Sequence, residues 1–136
     1  MSGLKGKYLL VHGSADDNVH VQNSMQMINA LVENNKEFDF FAYPDRTHGI
    51  SKGLNTRLHL FKKMTNFIEK NLKSKDTFLD VGANIGLLSA IASKRAKKVL
   101  SVEANPKTIA ILNQTIQFNQ ISNIEVFSLG LGAEKG

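Results

Sequence analysis

Thr77-Phe78-Leu79-Asp80-Val81-Gly82-Ala83-Asn84-Ile85-Gly86 is the stretch on which the fold class turns. Its first half is apolar and β-branched apart from Asp80. Its second half carries two glycines, and Leu87, Leu88, Ile91 and Ala92 follow at helical spacing. That succession is a strand, a tight turn and a helix. Outward from it the same alternation repeats. Tyr8–His12, Phe38–Tyr43, Val99–Glu103 and Ile124–Leu129 are further β-rich runs. Between them Val21, Met25, Ile28 and Leu31 or Val32 mark one helix, its methionines being read as core filler. Leu58, Phe61, Met64 or Thr65, Ile68 and Leu72 mark a second. The last helix opens with Asn105-Pro106, a capping residue before a proline at the first helical position, and buries Ile109, Leu112 and Ile116. Five strands alternating with four helices predict an α/β fold with a mostly parallel sheet.

Composition agrees with one ordinary domain: 136 residues, 42% of them hydrophobic, suffice to bury a core. No apolar run approaches the ~20 residues of a membrane span, and Met1-Ser2-Gly3-Leu4-Lys5 lacks a signal-peptide stretch. A soluble protein without a signal peptide is expected, its compartment undetermined and cytoplasmic if the chain is recombinant. There is no cysteine, and His12, His20, His48 and His59 show no metal-ligand spacing, so no metal is expected. The net charge of +5 is densest at Lys94, Arg95, Lys97 and Lys98. Cations there complement a helix C-terminus, and without interleaved aromatics they do not point to nucleic acid.

Two motifs lie in the first half. His12-Gly13-Ser14-Ala15-Asp16-Asp17-Asn18-Val19-His20 and Tyr43-Pro44-Asp45-Arg46-Thr47-His48-Gly49-Ile50 resemble the aspartate and histidine loops of the dipeptidyl-peptidase branch of the prolyl oligopeptidase serine peptidases. The resemblance runs from about residue 6 to 72. It implies the C-terminal end of an α/β-hydrolase domain, with Asp16 orienting the imidazole, Asn18 contacting a substrate carbonyl and His48 as general base. The serine of such a triad sits on a Gly-x-Ser-x-Gly elbow. No such pentapeptide occurs in the 136 residues.

From about residue 76 to 136 the chain resembles the N-terminal half of an S-adenosylmethionine-dependent methyltransferase of the FkbM-like group. Asp80-Val81-Gly82-Ala83-Asn84-Ile85-Gly86 carries the likeness. It implies a cofactor half-site of Asp80, Gly82, Ala83, Asn84, Gly86 and Glu103, the glycine loop cradling the methionine part and Glu103 accepting from the ribose hydroxyls. Ser128-Leu129-Gly130-Leu131-Gly132 resembles the family's adenine-side strand and turn. The bland alternative is that Gly82 and Gly86 serve helix packing and Glu103 is a solvated strand end.

Taken together, the two resemblances meet at Leu72 to Lys75 and predict an artificial chimera: residues 1–72 as β-α-β-α and 76–136 as β-α-β-α-β within one domain. Pairing the first and third strands gives a three-layer α/β/α, doubly wound, flavodoxin-like or Rossmann-like sheet of order 2-1-3-4-5. Helices one and four would cover one face, two and three the other. Catalytic relics without an intact site, no required cofactor and no native enzymatic activity are expected. One alternative is weak binding of S-adenosylmethionine or a nucleoside, and another is weak esterase or peptidase-like activity from the Asp16–His48 remnant. No partner is expected, the chain being a monomer or a domain-swapped homodimer.

Overall fold

Nine elements alternate along the chain in a computed structural model that describes residues 2–130. They are β1 (Leu9–Gly13), α1 (Val21–Glu33), β2 (Asp39–Tyr43), α2 (Thr56–Asn71), β3 (Thr77–Val81), α3 (Leu87–Ser93), β4 (Lys98–Glu103), α4 (Pro106–Phe118) and β5 (Ile124–Ser128). Each strand starts and ends within a residue of its sequence expectation. The α/β class holds. The chain divides into two compact units between Phe67 and Ile68.

In the first unit β1 and β2 run parallel, Leu9 opposite Asp39 and Gly13 opposite Tyr43. Tyr43, Ile50 and Leu60 are buried together, with Val11, Phe41 and Met64 packed against them. On α1 the buried stripe is rotated by one position from the expected one. Ser24 and Leu31 are buried while Met25 is 42% and Val32 62% exposed, so Met25 is surface rather than core filler. On α2, Leu60 and Met64 face the core and Leu58 is exposed.

In the second unit the order is β3-β4-β5, all parallel, with Phe78, Val99 and Ile124 in register. Those three face Ala92, Ala96, Leu88, Ile68 and Leu72. Asn105 caps α4, its Oδ1 accepting the Lys107 N–H at 3.0 Å, and proline follows as expected. Lys94 is the C-cap of α3, Arg95 and Lys97 follow it, and Lys98 opens β4.

Two expectations need correction. The described ladders form a two-stranded and a three-stranded sheet, and β1–β3 pairing is not among them, so the continuous sheet of order 2-1-3-4-5 is not confirmed. An unpaired edge calls for some partner but does not choose one: register is specified by which side chains are buried. Leu79 and Val81 of β3 are 57% and 54% exposed, so they bury little that would fix one. Secondly, α3 and α4 share a face of their sheet instead of lying on opposite ones. Ser89 of α3 reaches Asp80 and Ser101 on the covered face, and Gly86, which caps α3, abuts Leu112 of α4. Successive right-handed crossovers moving the same way along a sheet require this.

Candidate functional site

Two loops follow the carboxyl ends of β1 and β2, and the backbone stitches them together. Ser14 N donates to Tyr43 O at 2.9 Å and Ala15 N to Arg46 O at 3.0 Å. Asp45 N donates to Ser14 Oγ at 2.9 Å. Gly13 permits the approach, since a Cβ there would fall against the Arg46 carbonyl oxygen and 2.7 Å from that of Thr47. Arg46 folds the second loop on itself through Pro44 O (2.7 Å) and Lys52 O (3.1 Å).

Within this frame Asp16 is 7% exposed. Its Oδ1 accepts from Asn18 N and Val19 N, both at 3.0 Å. Its Oδ2 accepts from His48 Nδ1 at 2.9 Å. Burial pushes the Asp16 carboxyl up, but the Val19 N–H, the His48 ring and the Asn18 N–H together hold it below the ordinary carboxylate range. The structure therefore brings Asp16 and His48, both singled out from the sequence, into contact. Asn18 enters through its backbone, with its side chain exposed.

Sequence reasoning missed the support behind the pair. His12 Nε2 lies 2.9 Å from Val19 O and 3.5 Å from Asp16 Oδ2. A carbonyl can only accept, so Nε2 carries a proton, and in the neutral ring Nδ1 then accepts from Ser24 Oγ at 2.8 Å. The available signal was Ser24 itself, a serine where the helical period calls for an apolar residue.

The second cluster lies where β3 and β4 end. Asp80 is buried and turned beneath the loop: Ser89 Oγ donates to its Oδ2 at 2.6 Å. Ser101 Oγ lies 2.7 Å from Ser89 Oγ, and since the Ser89 proton is committed to Asp80, Ser101 is the donor. Asp80 thus braces the loop from beneath. Gly82 N and Ala83 N both donate to Val102 O, at 2.8 and 3.0 Å. Gly82, Asn84 and Gly86 adopt φ of 75°, 51° and 86°. Space is open where a Gly82 Cβ would stand, whereas Gly86 is filled by Leu112. Packing accounts for Gly86 and not for Gly82.

Glu103 closes the cluster. Its Oε1 accepts from Asn105 N at 2.9 Å and its Oε2 from Asn84 N at 3.0 Å. Those two N–H groups, with Ala104 N–H, hold its carboxyl below the ordinary range against the opposing effect of burial. Each oxygen keeps a lone pair for a further donor. The Gly82 turn beside this anion is open. Leu131 and Gly132 of the adenine-side motif lie outside the described residues. Among the described residues no three His, Asp or Glu side chains converge as a metal site, and no helix is long and apolar enough to cross a membrane.

The model of the prolyl oligopeptidase family, Peptidase_S9, matches residues 2–75. Prolyl endopeptidase FAP of Mus musculus is 46% identical over 69 residues, 51% of this chain and 9% of that protein. Dipeptidyl peptidase 4 of Felis catus is 44% identical over 64 residues, 47% and 8% of the two. The chain thus spans less than a tenth of these relatives. Among solved structures, dipeptidyl peptidase 4 of Porphyromonas gingivalis is 49% identical with a TM-score of 0.50, covering 52% of this chain and 10% of that one. An rRNA methylase from Streptococcus thermophilus reaches the same TM-score at 18% identity, covering 52% and 42%, a likeness of fold alone.

Proposed function

Because the chain belongs to the prolyl oligopeptidase family through residues 2–75, more than half its length, we propose that it carries the acid–base end of a peptidase site fused to a methyltransferase-type half-site, in an artificial chimera whose 136 residues perform neither parent reaction by themselves. The observation that supports this is the engagement of Ser14. Its hydroxyl accepts from Asp45 N–H, while the polar partner of the His48 ring is Asp16. A general base alone contributes about 10²–10⁴-fold, far below what amide hydrolysis requires. The expected result is that a chromogenic prolyl peptide amide is released no faster by the chain than by His48→Ala. Release that His48→Ala abolishes would revive a working hydrolase.

A second reading, residual binding of S-adenosylmethionine or a nucleoside, is favoured by the open space at Gly82 beside Glu103. When bound, the cofactor would supply an electrophilic methyl group. Gly82, Ala83 and Asn84 would line it and Glu103 would accept from its hydroxyls. Calorimetric titration with S-adenosylmethionine checks this: saturable heat that Glu103→Ala removes supports the half-site, and absence of heat leaves Glu103 a loop clamp.

A further inference from the structure

The Asp16–His48 pair has a chemistry available to it that needs no serine. An ionised carboxylate only accepts, so the proton shared at 2.9 Å sits on His48 Nδ1 and the lone pair of the neutral ring is on Nε2. The two ends of the pair are also placed differently. The Asp16 side chain is 4% exposed and tied by two backbone N–H groups, whereas the His48 side chain is 60% exposed. Nε2 is therefore open to solutes while the carboxylate behind the ring is fixed. His12, held by Ser24 and Val19 O, stands 3.5 Å from the same Asp16 oxygen.

We propose that His48 is a nucleophile toward activated acyl esters, with Asp16 as its positioning residue. This goes beyond the reading above, which concerns amides. An amide leaving group must be protonated as it departs and its oxyanion must be stabilised. An aryl ester expels a stable aryloxide and needs neither. In the first step the Nε2 lone pair forms a bond to the acyl carbon, the carbon–oxygen bond to the aryl group breaks, and aryloxide leaves. The ring becomes an acylimidazolium whose positive charge is opposed by Asp16. In the second, water attacks the acyl carbon, the carbon–nitrogen bond breaks, carboxylic acid is released with Nε2 restored, and the proton that water gives up passes to the aryloxide. The sum is ester plus water to acid plus phenol.

The full chain is mixed with p-nitrophenyl acetate, p-nitrophenolate release is followed, and quenched samples are mapped by mass spectrometry. An acetyl adduct on the His48 peptide, removable by hydroxylamine, is expected, with a rate at least roughly tenfold above His48→Ala. His48 is a surface side chain, so that variant should keep the fold, and an unchanged amide spectrum confirms it. Asp16→Asn should slow release and move the His48 ring nitrogens in ¹⁵N spectra toward the mixed tautomers of free imidazole. Asp16→Glu should restore part of the rate, which a merely structural role would not. Acetylation confined to lysines, a rate no higher than 4-methylimidazole at equal concentration, or a solvent isotope effect without an acyl-histidine would each overturn the proposal. Running the prolyl amide in parallel separates its failure from that of the relic reading.

Discussion

Asp16 and Asp80 are both buried aspartates where a parallel strand gives way to a loop, yet they are held by opposite means. Around Asp16 the loops are joined backbone to backbone, through Ser14 N to Tyr43 O and Ala15 N to Arg46 O. The carboxylate is then free to present one oxygen to an exposed imidazole. Around Asp80 the backbone ties the loop to β4 through Gly82 N and Ala83 N and closes its turn through Gly86 N to Ala83 O. Side chains carry the rest: Glu103 above, and the Ser101–Ser89–Asp80 chain below. A frame of main-chain bonds leaves its aspartate available for chemistry. A loop braced by side chains spends its aspartate on structure.

The largest effects should come from the glycines that let each frame close. Gly13→Ala puts a methyl group against main-chain carbonyls that cannot move without breaking the stitching, and should cost about 3 kcal/mol in chemical denaturation. Gly86→Ala meets the tip of the Leu112 side chain and an unfavourable φ of 86°, at about 2 kcal/mol. The opposite order would make the second loop the more tightly framed of the two. Next come the buried hydroxyls. Ser89→Ala strands both the Asp80 carboxylate and the Ser101 hydroxyl and should cost about 2 kcal/mol, with faster exchange at the Asn84 amide. Ser24→Ala removes one donor from His12 and should cost about 1 kcal/mol, leaving the Asp16–His48 contact in place.

These hydroxyls mark where the sequence stops being legible. Strand positions were readable because apolar runs and turn residues alternate plainly, and Asp16 and His48 because whole loops around them match a family. Ser24, Ser89 and Ser101 sit inside apolar periods, where a serine reads as a weak interruption until its partner on another element is known. Arg46 hides similarly: its contacts to Pro44 O and Lys52 O depend on a loop that doubles back. The β1–β3 pairing, which the described ladders do not confirm, was illegible for a different reason. Two free edges can be counted from sequence, but the count says nothing about which edges meet.

The acid range tests Asp16 and Glu103, one carboxylate from each frame. Asp16 and Glu103 both have folded values below their ordinary ones, so the unfolded chain binds those protons more tightly. Their stabilisation is present above about pH 4 and lost as the pH falls through the folded values. Asp16→Asn and Glu103→Gln should each flatten the acid fall of the denaturation midpoint. Glu103→Gln, unlike Asp16→Asn, should loosen the Asn84 and Asn105 amides at neutral pH, because Glu103 accepts from both.

The smallest effect should belong to Lys98 and Glu125, 2.6 Å apart on neighbouring strands β4 and β5 and each about half exposed. They lie diagonally, Glu125 being opposite Leu100, on the sheet face away from Ser89. Solvent and the entropy of two mobile side chains should reduce Lys98→Ala to about 0.5 kcal/mol or less. Its value is as a control on the second loop. If removing this pair speeds exchange at Asn84 as much as Ser89→Ala does, the loop is held by the rigidity of the whole sheet. If Asn84 is unmoved, the restraint is local, residing in Glu103 and the serine chain, as the contrast with the main-chain frame around Asp16 requires.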